Sequence, residues 1–313
     1  MKKFALALIA VVSIAATAVA QEYVPNVVAQ APDKAWSVEG LGEGVYLFRW
    51  RLGFYVSPFV LGDGEVLAVD PIGREAAKGY KDAIAAVTDA PVTKIVYSHD
   101  HRDHIVGADV LAPNAEIYAH PGTLSSLERR GDPDILKPTK LVDDGDVIDV
   151  GGREVGVHYF GPNHGASNIA LTYTTAMGTM LQYVDTMEIG IVPYRTLPDT
   201  NVGGYIASLE GAAKLDVQWV LGGHSGPGPA VWITNYLNYF RDMEAALRTA
   251  EADLQKAPSP SVEDTIARGE IRIDAIVARA VDILRPKYGT WRGFEAWAPL
   301  NAQTVRMYMI TGN

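Results

Sequence analysis

Ser98-His99-Asp100-His101-Arg102-Asp103-His104 is the stretch that decides how this chain reads. Three of the chain's seven histidines fall inside it. The block directly follows Val92–Tyr97, a run of Val and Ile that reads as a buried strand. It therefore sits at a strand's C-terminal end, where a loop can present side chains into a cleft. His99 and His101 alternate, so they point the same way if the chain stays extended there. Asp103 and His104 come after the turn, as a helix begins, and can face a second ion. Imidazole and carboxylate suit zinc first, and iron, manganese or cobalt as well.

Outward from this block, short apolar or alternating runs predict strands at 45–50, 54–61 and 65–69, the last two joined by Gly62-Asp63-Gly64. Helical spacing runs from Arg74 to Val87. A helix–strand–helix passage follows the histidine block as far as Arg130. Further strands are expected at 147–150 and 155–160 around Gly151-Gly152, at 169–173, at 180–184 and at 217–221, with a helix at 205–215 before the last. Beyond Pro229 the pattern turns helical, at 232–256, 262–268 and 271–284, with Pro258-Ser259-Pro260 as a breaker. That tail carries no His. Strands alternating with helices on both sides predict two sheets packed face to face with helices outside.

The chain has 313 residues, 48% of them hydrophobic and 20% charged, a composition that folds. It contains no cysteine, which excludes disulfides, thiolate ligands and a cysteine nucleophile. A net charge of -10 argues against a nucleic-acid partner. Lys2 and Lys3 precede an uncharged run from Phe4 that ends Ala18-Val19-Ala20, the pattern of a secretory leader. Residues 1–20 are thus expected to be a signal peptide, and the mature chain to be periplasmic or secreted with no membrane association after cleavage. Residues 21–35 show no clear periodicity, and 21–43 read as an N-terminal arm, 44–229 as the metal-binding core, and 230–313 as a helical extension packed on the same domain. The oligomeric state is left open.

His99-x-His101-x-Asp103-His104 resembles the metal-binding signature of the metallo-β-lactamase superfamily. Four more segments resemble that family in order: Val66–Asp70, a strand ending in Asp; Gly161-Pro162-Asn163-His164-Gly165; Met180–Asp185, a strand ending in Asp; and Leu221-Gly222-Gly223-His224-Ser225-Gly226. The likeness implies a four-layer αββα sandwich of two mixed sheets. It implies one divalent ion, zinc by first expectation, on His99, His101 and His164, and a second on Asp103, His104 and His224. Asp185 would bridge them, with Asp103 and Asp185 the catalytic carboxylates. Asp70 would steady a loop or a ligand histidine.

The implied activity is hydrolysis of an ester-, lactone- or amide-type small molecule by a hydroxide between the two ions. β-Lactamases with a cysteine ligand are excluded by composition. The all-histidine zinc β-lactamases remain an alternative, and a non-catalytic metal-binding protein on the same fold is another. Asp185-Thr186-Met187-Glu188 lacks the Tyr that many lactonases carry three residues after the bridging Asp. His120 and His158 read as bystanders. Trp50, Phe54 and Tyr55, around the turn at Leu52-Gly53, are candidates for an apolar wall beside the site.

Overall fold

The computed structural model describes residues 22–51 and 53–312. The expected leader at 1–20 and the turn residue Leu52 lie outside them. The first sheet takes its eight strands in chain order: β1 (Val27–Gln30), β2 (Trp36–Gly42), β3 (Val45–Trp50), β4 (Tyr55–Leu61), β5 (Val66–Val69), β6 (Val92–Val96), β7 (Glu116–Ala119) and β8 (Lys140–Leu141). β1 to β5 pair antiparallel and β5 to β8 parallel. The second sheet is ordered β14-β13-β12-β11-β10-β9. Its strands are β9 (Val147–Val150), β10 (Arg153–His158), β11 (Ala170–Thr175), β12 (Gly178–Gln182), β13 (Trp219–Leu221) and β14 (Gly228–Pro229). Only β12 and β13 run parallel in it.

Helices cover both outer faces. α1 (Arg74–Ala85), α2 (Arg102–Ile105), α3 (Ala108–Leu111) and α4 (Pro121–Arg130) belong to the first sheet. α5 (Val202–Ala212), α6 (Val231–Gln255), α7 (Thr265–Tyr288) and α8 (Phe294–Thr311) cover the second. Three apolar cores mark the three interfaces of this αββα stack. Phe48, Phe59, Tyr80 and Ile117 lie between the first sheet and its helices. Leu47, Val60, Val96, Val155 and Leu171 fill the space between the sheets. Leu181, Tyr205, Phe240 and Leu247 lie under the helical tail. Among the described residues, no helix is long and apolar enough to cross a membrane.

Two expectations need correction. The segment 21–43 contains two strands rather than an arm, because β1 and β2 extend the first sheet antiparallel from β3. A register shift between Gly40 and Gly42 puts the buried Val38 and Leu41 three apart, which breaks the two-residue alternation a strand usually shows. The tail stretches 262–268 and 271–284 are one helix, α7, running through Gly269 and capped by Asp264, whose carboxylate accepts from the amides of Ile266 and Ala267. α8 follows as a third tail helix.

Trp50 also turns inward. It is buried between β3 and α1, stacked on Phe48, and so forms core rather than a wall of the cleft. Gly79 of α1 meets it closely: a Cβ there would lie 2.7 Å from the Trp50 ring and 3.0 Å from Trp36. Alanine favours a helix by up to about 1 kcal/mol over glycine. Crowding two fixed indoles costs more, so Gly79→Ala is expected to lose roughly 1–2 kcal/mol in urea unfolding. A gain in stability would show that this contact can relax.

Candidate metal centre

The strands of both sheets that carry the site end on the same side, and their loops converge. β6 ends at Val96, and His101 forms the N-cap of α2, so Asp103 and His104 enter on that helix's single turn. His164 lies in the loop between β10 and β11. Its amide donates to Asn163 Oδ1 at 2.6 Å, and Asn163 Oδ1 also accepts from Asn168 and Thr186. Asp185 follows β12 with φ of 57°, a left-handed conformation an Asp tolerates better than most residues. Asn168 donating to Val184 O and Tyr205 donating to Thr186 O hold the backbone on either side. His224 follows β13 through Gly222-Gly223. A Cβ on Gly222 would sit 2.3 Å from Glu188 Oε2, and one on Gly223 2.9 Å from Asp185 Oδ1, so only glycine lets this loop approach the site.

All seven expected residues come together, in two groups. His99, His101, His164 and Asp185 form one and Asp103, His104 and His224 the other, with the donor atoms of each group within 4.8 Å of one another. Asp185 faces both. Its Oδ2 lies 3.9 Å from His99 Nε2, 3.4 Å from His164 Nε2 and 3.3 Å from His104 Nε2, and its Oδ1 lies 3.1 Å from His224 Nε2.

The outward nitrogens of these rings define what the inward ones can do. The Ser98 hydroxyl donates to Asp70 Oδ2 at 2.6 Å, so it can only accept from His99 Nδ1, 2.9 Å away. His99 Nε2 is then a bare lone pair. His224 Nδ1 donates to the Phe54 carbonyl at 2.9 Å, so in the neutral ring its Nε2 is the bare nitrogen. Asp70 Oδ2 lies 3.5 Å from His104 Nδ1, the steadying place expected of that carboxylate. His101 Nδ1 and His164 Nε2 face each other at 3.1 Å. His99 Nε2, His104 Nε2 and Asp185 Oδ1 are buried and make no hydrogen bond. Such atoms are costly in a folded interior unless they coordinate a cation. The donor set therefore fits divalent metal.

The electrostatics agree. Burial, reinforced by His104, holds His99 far below the ordinary imidazole value, and burial takes His164 down to about 4. Both stay neutral and able to ligate. Burial opposes a charge on His104, yet Asp185 and Asp70 raise it well above the ordinary value. Burial likewise opposes the Asp185 carboxylate, but His104 and His224 hold it well below the usual range. Positive charge is favoured at this spot, and a proton and a cation compete for the same nitrogen.

Several supporting residues carry no sequence motif. Asp100 turns away from the centre: its carboxylate accepts from Ser126, Arg130 and Ser167, and Arg130 also donates to the Asp100 carbonyl at 2.6 Å. Burial works against the Asp100 charge, but Ser126 and Arg130 keep it below the usual carboxylate range. Glu188 accepts from the amides of Gly223 and His224 and so fixes the last loop. Asp199 Oδ2 lies 3.5 Å from His101 Nε2. The bystanders stay outside. His120 caps α4 by accepting from the Gly122 amide and stacks on Tyr159 at 4.0 Å. His158 pairs with Thr172 Oγ1 on the second sheet.

Aromatic rings line the open side. Tyr55 packs on His224 at 4.5 Å and donates to Asp103 Oδ2 at 3.1 Å. Phe54 is 61% exposed and packs against both Tyr55 and His224. Tyr194, also exposed, stands edge-on to Trp297 of α8.

Residues 74–185 match the family model for the beta-lactamase superfamily domain. The structure is similar to a metallo-beta-lactamase from Pontibacter korlensis, with a TM-score of 0.57 at 15% identity, over 65% of this chain and 97% of that one. The segment that carries the first histidine block thus resembles the beta-lactamase superfamily domain, and the fold as a whole is that of a metallo-beta-lactamase. The fold likeness takes in the two mixed sheets and their helices. A curated relative, the 2,4-dinitroanisole O-demethylase subunit alpha of a Nocardioides strain (JS1661), is 31% identical over 201 residues. That alignment covers 62% of this chain and 60% of the relative's length.

Proposed function

We propose that the protein is an exported, metal-dependent hydrolase that cleaves an ester- or lactone-type small molecule bearing an aromatic group. The observation that carries this reading is the convergence of five imidazoles and Asp185, with His99 Nε2, His104 Nε2 and Asp185 Oδ1 buried and without hydrogen-bond partners, beside an open aromatic rim. His99, His101 and His164 would hold one divalent ion, and Asp103, His104 and His224 a second, with Asp185 facing both. Ions held there would polarise an electrophilic oxygen and bring the pKa of a water molecule toward neutrality.

The chain's own residues supply the rest. Asp103 is the only one of the seven with a side chain more than half exposed, at 53%. It can reach a leaving group from the solvent side and hold a proton for it, while the Tyr55 hydroxyl fixes its orientation. Phe54 and Tyr55 offer faces and edges on which a planar group can pack and exclude water. The Nocardioides relative is named for 2,4-dinitroanisole, an aromatic ether, and that name favours an aromatic substrate here. The acidic balance of the chain supports a small-molecule rather than a nucleic-acid partner.

The test is a panel on zinc-replete mature protein: nitrophenyl esters, lactones, thioesters, phosphoesters, an aryl methyl ether and nitrocefin, alongside metal analysis. We expect close to two ions per chain and the highest kcat/KM on an aryl ester or lactone. Turnover of nitrocefin alone would instead favour the all-histidine β-lactamase reading. Full metal content without turnover of any substrate would favour a metal-binding protein without catalysis. A metal-replete preparation holding no ion would sink the site itself.

A further inference from the structure

We propose that Asn301 of α8 is a positioning residue for the metal centre, which makes the C-terminal helices part of the site's construction. The proposal rests on reading the seven clustered residues as a metal site. Asn301 is a fully buried polar side chain amid the apolar core under the tail. Its amide donates to two consecutive-but-one carbonyls of the loop after Asp185, Pro193 O at 3.1 Å and Arg195 O at 2.6 Å. Its own oxygen accepts from Tyr239 of α6 at 2.8 Å, so the amide orientation is set from behind. One turn along α8, Thr304 donates to Thr196 O at 2.8 Å.

The loop so gripped is not one that would hold itself. Arg195, Leu197 and Asp199 have φ of 46°, 53° and 59°, a conformation disfavoured for residues with a Cβ. Three such residues in a row of alternate positions persist only where surrounding contacts over-determine them. At its far end the loop meets the site. Gly165 donates to Asp199 O and Asn201 to Asn163 O, and Thr200 bridges to His164. Asp199 places its carboxylate beside His101. A chain of contacts thus runs from Tyr239 through Asn301 and the loop to the backbone around His164 and, through the Asp199 carboxylate, to His101, the two histidines whose nitrogens face each other. Asn301 touches none of the seven residues, so its effect passes through the loop.

The experiment uses metal-free full-length protein and cobalt(II) as the probe, read by its visible absorption, together with hydrogen exchange of residues 193–201. Asn301→Ala is expected to weaken cobalt binding by roughly tenfold, at the low end of what outer partners of a ligand contribute. It should also speed exchange in the loop while far-ultraviolet dichroism stays native. Thr304→Val should do the same to a smaller extent, and Thr304→Ser should restore both readouts. Asn301→Ala binding cobalt as the parent does, with unchanged exchange, overturns the proposal. If Asn301→Ala does not fold, the threonine pair decides, and Thr304→Val matching both Thr304→Ser and the parent overturns it. A parent protein that takes up no cobalt overturns the metal-site reading and this proposal with it, an outcome distinct from a variant that fails to differ.

Discussion

Asp185→Asn is expected to lower turnover of an ester substrate by roughly 10²–10³-fold, the scale of losing one preorganised charge at a reacting centre. Its carboxylate oxygens lie within 3.9 Å of four imidazole nitrogens drawn from both groups. Asparagine keeps the size and tolerates the left-handed backbone at this position, so the fold should survive. The charge is lost, and with it the one group that faces both halves of the centre. Metal content should fall together with kcat, and KM should change less, because the missing interaction matters most as charge develops. Steady-state kinetics and metal analysis on the same preparation check this. Parental kcat at full metal content would remove Asp185 from the centre.

His101→Ala and His120→Ala make a matched pair with opposite outcomes. His101 supplies Nδ1 at 3.1 Å from His164 Nε2 and has Asp199 behind it, so its loss should lower activity by at least about 10²-fold. The sheets and their three cores do not depend on this loop, and thermal unfolding of the metal-free variant should stay close to the parent's. His120 caps α4 and stacks on Tyr159, and it belongs to neither group of clustered residues. Its replacement should cost about 1 kcal/mol of stability, as the loss of a cap does, and leave kcat/KM within twofold. Equal damage to activity from both would mean that ligand and bystander have been confused.

How far the site was legible depended on chemistry packed into a short stretch. His99 to His104 could be read directly, because three imidazoles and two carboxylates in one loop suggest little else. His164, Asp185 and His224 stand alone in the sequence, and only their place after strand-like runs, in the order of a known family, singled them out. Asp70 was legible for the same reason. Asp199 and Glu188 were not, because their role is contact with a backbone or a ring distant in the chain, and no local pattern records that. The fold followed the same division. β3 and β9 match their expected bounds because alternation and turn residues mark both ends. β2 was missed because its bulge hides the alternation. α8 was missed because Pro299 lies inside it, and a proline read locally argues against a helix. Phe54 and Tyr55 reach the site as expected while Trp50 does not, since strand β3 turns that ring toward α1.

The seven clustered side chains are contributed by loops of both sheets, spread from residue 99 to residue 224. Closing contacts over such separations must wait until both sheets have formed and docked. The centre is therefore assembled last, and an ion can act there as a latch on a finished structure but not as a nucleus for building it. By mass action a ligand of the native state adds stability in proportion to the logarithm of its concentration over its dissociation constant. Zinc should accordingly raise the unfolding temperature and slow unfolding, while leaving the rate of refolding nearly unchanged. A chain that crosses a membrane unfolded would thus be charged with whatever metal the receiving compartment holds, after folding there is complete.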